Sequence, residues 1–122
     1  MDERVKKIRN FRDLEEWQLG MKIVVDIYMT TKNYPKEELC GLVNQMRKAA
    51  VSVPSNIAEG FGRVSNREYK HFLQISLGSC GELETQVEAS LALKYINESE
   101  RNGLLELLGQ ESRMLRDLIK KL

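Results

Sequence analysis

Hydrophobic residues recur at spacings of three and four along most of the chain, which is the periodicity of amphipathic α-helices. In the first such stretch the predicted apolar face consists of Leu14, Trp17, Met21, Val24, Val25, Tyr28 and Thr31. Asp13, followed three residues later by Glu16, is the predicted cap at the start of this helix. The helix is expected to end before Pro35, because a residue that precedes proline is disfavoured in the helical conformation.

A second helix is predicted to begin at Pro35, whose fixed φ suits the first helical turn. Its predicted apolar face is Leu39, Leu42, Val43, Met46, Ala49, Ala50, Val53 and Ile57. Pro54 lies inside this pattern and removes the backbone hydrogen bond that would reach the carbonyl of Ala50. We expect it to kink the helix, and we expect Gly60 and Gly62 to end it.

Capping patterns predict the starts of two further helices. Ser65 with Glu68 opens the third, and Asn97 with Glu100 opens the fourth. The third carries an apolar stripe at Tyr69, Phe72, Leu73, Ser76, Cys80, Leu83, Val87 and Leu91. Gly78 and Gly81 also lie in it, at a cost of about 1 kcal/mol each relative to alanine. That cost indicates either close approach of another helix or a misplaced helix.

Four amphipathic helices with short connections favour an all-α fold, an antiparallel up-down-up-down four-helix bundle. Residues 13–122 are expected to form one domain, after a basic arm or irregular lead-in at residues 1–12. The N-terminus has no apolar segment typical of a signal peptide, and no apolar run is long enough to span a membrane. We therefore expect a cytoplasmic protein whose two cysteines are reduced.

Charge changes this picture only when it is examined along the chain. The 122 residues include 19 Lys and Arg against 18 Asp and Glu, so that a net charge of +1 gives no argument for nucleic-acid binding. The segments differ: residues 1–12 and 112–122 each sum to +3, and residues 71–111 sum to −5. In an up-down bundle the start of the first helix and the end of the fourth lie at the same end of the molecule. The two basic terminal segments would therefore form a positive end. The alternative is that Lys and Arg near helix C-termini simply complement the helix dipole.

Candidate chemistry is sparse. Glu68 and His71 have the Glu-x-x-His spacing of di-iron bundles, but a single histidine cannot supply the second such motif, so we expect no metal and no cofactor. Cys40 and Cys80 are both placed on apolar faces, where a thiol behaves as a small hydrophobic group. Because no complete catalytic constellation is present, we predict a non-enzymatic protein without catalytic residues.

Two sets of residues are candidates for binding. The candidate phosphate contacts are Arg4, Lys6, Lys7, Arg9, Arg12, Arg47, Lys48, Arg63, Arg67 and Lys70. A second set forms polar stripes on the second and third helices, namely Gln45, Ser52, Pro54, Ser55, Asn56 and Glu59 with Ser79, Glu82 and Gln86. If the stripes meet, within one chain or between subunits, they would form a seam that fixes helix register and partner choice. Alternatively, the Ser and Asn side chains bond the carbonyls freed at the kink.

The most specific string is SVPSNIAEG at residues 52–60, followed by Gly62 and Arg63. Around it stand Phe11, Arg12, Asp13, Leu14, Trp17, Gln18, Tyr34, Pro35, Glu38, Gly41, Leu42, Gln45, Arg47, Glu68, Phe72, Leu73, Gly78, Ser79, Glu82, Leu83 and Gln86. With these residues the chain resembles, over about residues 11–122, the bacterial four-helix bundle family named for proteins encoded in intervening sequences of 23S rRNA genes.

The resemblance implies a left-handed bundle that assembles into a homopentameric barrel with a central channel, and it brings no catalytic residues. The chain is also similar to the accessory variability determinant of diversity-generating retroelements, a pentamer that associates with reverse transcriptase and nucleic acid. The resemblance therefore implies RNA or DNA, and a reverse transcriptase or another protein, as partners beside the chain itself.

Taken together, these features predict a homo-oligomeric bundle that binds RNA or DNA through basic surface patches. A protein-interaction scaffold with no nucleic-acid role is the alternative. Assembly is also expected from a broad apolar surface on the first helix that includes Leu19, Ile23 and Ile27.

Overall fold

The computed structural model describes residues 8–122, and the predictions for Arg4, Lys6 and Lys7 lie outside this range. In this part of the chain the fold is all-α, with four helices and no strand. The helices are α1 (Glu15–Thr31), α2 (Leu42–Phe61), α3 (Asn66–Ala92) and α4 (Glu98–Lys121). Short 3-10 helices at Phe11–Asp13 and Lys36–Glu38 precede α1 and α2. No helix in residues 8–122 has the length and hydropathy needed to cross a membrane.

The predicted N-cap residues of α3 and α4 are confirmed, and of these two helices only α4 has the reciprocal bonds of a capping box. The hydroxyl of Ser65 accepts a hydrogen bond from the backbone N–H of Glu68 at 3.2 Å. Asn97 and Glu100 cap α4 reciprocally, since each side chain accepts from the backbone N–H of the other, at 2.8 and 3.1 Å. These interactions satisfy backbone donors that a helix start leaves without partners.

The predicted start of α1 is wrong. Asn10 caps the 3-10 helix Phe11–Asp13, and the Asp13 carboxylate accepts from the backbone N–H groups of Arg9 and Asn10 at 3.0 and 3.3 Å. Leu14 is extended and provides no side-chain cap, and α1 begins after it. Asp13 therefore closes a capping box one element earlier than the pattern predicted.

The second helix also begins later than predicted. Pro35 leads into the 3-10 helix, α2 starts at Leu42, and Leu39 is left 57% exposed instead of joining the core. The prediction that Pro54 does not end the helix is confirmed, because α2 continues to Phe61. Gly62 caps its end by donating its N–H to the carbonyl of Ala58 at 3.3 Å.

All four helices contribute to one hydrophobic core. Each packs against two neighbours in the cyclic order α1–α2–α3–α4, and the backbones of the diagonal pairs α1/α3 and α2/α4 do not approach closely. Contacts between α2 and α3 pair late residues of α2 with early residues of α3. Gly60 lies against Phe72, the carbonyl of Val53 accepts from the hydroxyl of Ser76, and Met46 contacts Ser90.

The predicted apolar face of α1 is partly wrong. Ile23 and Ile27 are 1% and 0% exposed and belong to the core, whereas Met21, Val25 and Tyr28 are exposed. Ile23 and Ile27 are therefore not available for assembly, contrary to expectation. Apolar residues occupy most sides of this helix, so that periodicity alone could not select the buried side.

The two glycines predicted to mark close helix packing do not do so. A Cβ atom added to Gly78 or to Gly81 would have no neighbour within 4 Å. Close packing occurs instead at Gly60, where an added Cβ would lie 2.9 Å from the Cβ of Phe72 and 3.2 Å from the carbonyl oxygen of Tyr69. Gly20 in α1 is also closely packed, against α4 and α2. A Cβ added there would lie 3.0 Å from Glu111 Oε2 and 3.3 Å from Pro54 Cβ.

Candidate functional site

A furrow, which we call the α1–α2 furrow, runs along the outside of α1 and α2. Its two halves meet at Val51 and Ser55, which line both. The apolar half, of about 320 Å³, is further lined by Phe11, Trp17, Met21, Val24, Pro54 and Ala58. The polar half, of about 620 Å³, is further lined by Tyr28, Asn44, Arg47, Lys48, Ser52 and Asn56.

The polar half of the furrow is rich in hydrogen-bond donors. Arg47 is fixed from two sides, because its Nε donates to the hydroxyl of Thr31 at 3.0 Å and its guanidinium lies 4.5 Å from the centre of the Tyr28 ring. Lys48 is exposed beside it. Among residues 8–122, no carboxylate lines this half, which presents positive charge together with amide and hydroxyl groups.

The turn between α2 and α3 carries the second group of candidate cations. Arg63 is already engaged there, since it forms an ion pair with Glu59 and its guanidinium lies 4.7 Å from the centre of the Phe72 ring. Arg67 is exposed and Lys70 partly exposed, and neither forms an ion pair within residues 8–122. These two side chains therefore have charge available for a partner.

The last turn of α4 lies at the same end of the molecule. Glu16 at the start of α1 interacts electrostatically with Lys121 of α4 and with Tyr69 of α3. Residues 8–20, 58–72 and 112–122, which together build this basic end, hold nine Lys and Arg against six Asp and Glu. Residues 73–111 hold two against seven. Positive charge is therefore concentrated at this end, and negative charge along the rest of α3 and α4.

The seven candidate cations within residues 8–122 do not form one patch. Arg9 and Arg12 are exposed near the start of α1, with the Arg12 guanidinium 4.6 Å from the centre of the Phe11 ring, and they share the basic end with Arg67 and Lys70. Arg47 lies in the polar half of the furrow, near the other end of α2. The chain thus offers a basic end and a separate basic groove.

The polar stripes of α2 and α3 meet within the chain. The hydroxyls of Ser52 and Ser79 are 2.8 Å apart, and the Asn56 amide donates to the carbonyl and the hydroxyl of Ser52 at 2.8 and 2.9 Å. In α3 the Gln86 amide donates to the Glu82 carboxylate at 3.2 Å. Gln45 and Glu59 are exposed beside this seam, and Pro54 is buried. The carbonyl that Asn56 bonds is that of Ser52 and not the one freed by Pro54.

Glu111 is a candidate site residue that the sequence pattern did not indicate. Glu111 is fully buried, and neither of its carboxyl oxygens has a hydrogen-bond partner within residues 8–122. Burial, together with the smaller effect of the charge of Glu16, raises the pKa of this carboxyl to about 8. The available signal was its place in the periodicity of α4, where it continues the core positions Leu104, Leu108 and Leu115.

The cysteines and the single histidine give no catalytic grouping. Cys80 is buried, and burial together with the charge of Glu111 raises the pKa of its thiol to about 12. Cys40 is exposed, which corrects its predicted place on an apolar face. Glu68 and His71 are both exposed on α3. Within residues 8–122, no three His, Cys, Asp or Glu residues are grouped so that they could hold a metal ion.

These features define an all-α protein of four helices around one core, with segregated surface charge. The model of the 23S rRNA-intervening sequence protein family matches residues 12–117, and the chain belongs to that family. The family resemblance predicted from the motifs is therefore confirmed.

Solved structures support the fold. A protein of unknown function from the S23 ribosomal protein family of Bacteroides thetaiotaomicron VPI-5482 is similar, with a TM-score of 0.78 and 19% sequence identity. The match covers 86% of this chain and 98% of that one. At this identity the similarity concerns the fold alone. A search of curated proteins gave no match.

Proposed function

We propose that this chain is a non-enzymatic, homo-oligomeric bundle that binds RNA or DNA through its basic end. The observation that carries the proposal is that Arg67 and Lys70 form no ion pair with any described residue, at the end where the last turn of α4 adds further cations. An antiparallel up-down-up-down course of the helices is part of the proposal. It is supported by the pairing of late residues of α2 with early residues of α3.

Phosphate is the partner group that this end suits best. Nucleic-acid affinity arises largely from Lys and Arg that replace condensed counterions on the phosphate backbone. Arg67 and Lys70 lie in the first two turns of α3, where the positive end of the helix dipole adds to their charge. Such contacts position a nucleic acid and carry little sequence information, so binding is expected to be salt-sensitive and weakly specific.

Reversing both charges, as Arg67→Glu with Lys70→Glu, is expected to weaken binding of labelled RNA and DNA. Because each lost phosphate contact removes about one unit from the salt slope, the slope of log K against log salt should fall by about 2. Fluorescence anisotropy at about 50 and about 200 mM salt measures both quantities.

The matched control is Lys32→Glu with Lys36→Glu, which changes net charge equally at the opposite end of the bundle, where both lysines are exposed. It should leave the affinity nearly unchanged. Absence of binding at the lower salt would contradict the proposal, and so would equal losses in the two variants.

Self-association is supported by a complementary pair of surfaces on opposite sides of the molecule. The α1–α2 furrow is basic and apolar, with Met21, Val25 and Val51 exposed along or beside it. The opposite groove, which we call the α3–α4 face, is lined by Gly81, Glu84, Thr85, Glu88 and Leu105. Contact between two different surfaces generates rings when the rotation closes. The number five follows from the family resemblance.

Lys48→Glu and Glu84→Lys are each expected to reduce the assembled fraction measured by light scattering, because each places like charges across this contact. An equimolar mixture of the two variants should recover part of the assembly, since both kinds of contact between unlike variants place opposite charges together. A wild-type chain that remains monomeric would contradict self-association. Unaffected assembly in both variants would instead exclude these two surfaces.

A protein-interaction scaffold is the second candidate, favoured by the apolar half of the furrow. Phe11, Trp17 and Met21 there belong to the residue types that anchor protein interfaces. This candidate replaces the first if a polypeptide partner remains bound after nuclease treatment and in high salt while no nucleic acid binds.

A further inference from the structure

The middle of α4 places a carboxyl group where the rest of the core is apolar. Glu111 is 0% exposed, and its two oxygens have no hydrogen-bond donor in the described part of the chain. Gly20 of α1 makes room for it, since a Cβ there would lie 3.0 Å from Glu111 Oε2 and 3.3 Å from the ring of Pro54 in α2. Three helices therefore converge on this carboxyl.

The groups that face Glu111 do not offset a negative charge. From α1, Glu16 brings a like charge, and from α3, Cys80 brings a thiol that is neutral at ordinary pH. The α2 side presents the ring of Pro54, which has no titratable group. On α4 itself, Ser112 bonds Cys80, and Arg116 acts electrostatically on the same thiol. An ionised Glu111 would thus be a buried charge without a compensating partner, which is strongly unfavourable.

We propose that Glu111 acts as a proton-controlled latch between α4 and α1, closed when its carboxyl is protonated and released when the carboxylate forms. The carboxylate cannot stay beside Gly20 without solvation, so it must move toward water. Glu16 lies one turn before Gly20 on the same side of α1 and is partly exposed, so the carboxylate's path to water runs along this side of the contact between α1 and α4. Release therefore opens the contact between α1 and α4 while α2 and α3 remain packed.

The direction of the pH dependence follows from proton linkage. The pKa of Glu111 in the folded chain is about 8, raised from an ordinary value of 4.5, so the folded state holds a proton that the unfolded state has released. The contribution of Glu111 to the free energy of unfolding is greatest at low pH and declines as pH rises from about 5 to about 8. One proton changes the unfolding equilibrium constant by at most about tenfold per pH unit, and the decline ends above the folded pKa.

Urea unfolding followed by circular dichroism from about pH 5 to about pH 9 tests the latch with the wild type and two variants. The wild type should lose stability toward high pH, whereas Glu111→Gln, which has no proton to lose, should have a nearly flat profile over this range. The control Glu16→Gln keeps the titrating group and removes the neighbouring charge. It should retain the decline but end it at a lower pH, because the charge of Glu16 helps to raise the pKa of Glu111.

Two measurements on the wild type keep the test independent of how well a variant folds. Carbon NMR of the glutamate carboxyl groups should reveal one that titrates near pH 8. Hydrogen exchange at about pH 9 should show protection lost first in α1 and α4. Glutamates that all titrate near their ordinary value would overturn the proposal, and so would superimposable pH profiles of wild type and Glu111→Gln. Uniform loss of protection over all four helices would overturn the latch.

Discussion

Truncating Ile27 to alanine is expected to lower the free energy of unfolding by about 2–5 kcal/mol, the range for removing a large aliphatic side chain from a packed core. Ile27 is 0% exposed and lies on the buried side of α1 with Gly20 and Ile23. The loss combines the transfer free energy of the deleted methyl and methylene groups with the cost of the cavity that remains. Urea denaturation followed by circular dichroism measures it.

Val25 provides the matched control, two residues earlier in the same helix. It is 56% exposed, so Val25→Ala should change the free energy of unfolding by less than about 0.5 kcal/mol. Comparable losses in the two variants would show that α1 presents a different side to the core. If Val25→Ala preserves stability but reduces the assembled fraction, that result supports the α1–α2 furrow as a contact between subunits.

Replacing Gly60 by alanine is expected to destabilise the fold by about 1–3 kcal/mol, although alanine is the better helix former. The added Cβ would lie 2.9 Å from the Cβ of Phe72 and 3.2 Å from the carbonyl oxygen of Tyr69. Neither atom can swing away, because one begins a side chain and the other belongs to the backbone. The helices α2 and α3 must therefore separate to accept the methyl group. Thermal and urea unfolding both measure the loss.

The same substitution at Gly78 should have the opposite sign. Gly78 lies inside α3 with no atom of residues 8–122 within 4 Å of an added Cβ, so Gly78→Ala should stabilise the fold by about 0.5–1 kcal/mol. A stabilised Gly60→Ala variant would contradict the close contact between α2 and α3. A destabilised Gly78→Ala variant would indicate that this surface is covered by another copy.

The number of helices and the starts of two of them could be predicted from the sequence. Ser65 and Asn97 cap α3 and α4 through backbone groups only three residues away, so the start of each helix depends on neighbouring residues alone. The start of α1 shows the limit of the same rule. Asp13 is an acceptable N-cap residue, but Asn10 had already begun a 3-10 helix that includes it.

The candidate site was partly predictable for the same reason. The string around Pro54 indicated the family, and the polar stripes at helical spacing included Ser52 and Ser79, whose hydroxyls the structure places 2.8 Å apart. Exposure and pairing were not predictable. Arg63 is neutralised by Glu59 and Arg67 is not, although both are arginines beside the same turn.

Glu111 illustrates what a polarity pattern conceals. A glutamate between apolar residues is read as the edge of a polar face, since a charged side chain is seldom buried without a partner. Its burial depends on Gly20 and Pro54, which come from two other helices and leave the space that the carboxyl fills. The environment of the Glu111 carboxyl is therefore set by residues that are far apart in the chain.

By itself, the sequence determined the helical class, the caps of α3 and α4, the continuation of α2 through Pro54 and the family, because each depends on residue types and their spacing along the chain and not on distances between helices. Only the tertiary structure decided which side of α1 is buried, which glycines face another helix, and which cations and carboxyls have partners. These properties depend on distances between helices that are far apart in the chain. The net charge of +1 is also a property of the sequence alone. The separation of charge into a basic end and an acidic α3–α4 region is a property of the surface, and it arises only when the helices pack.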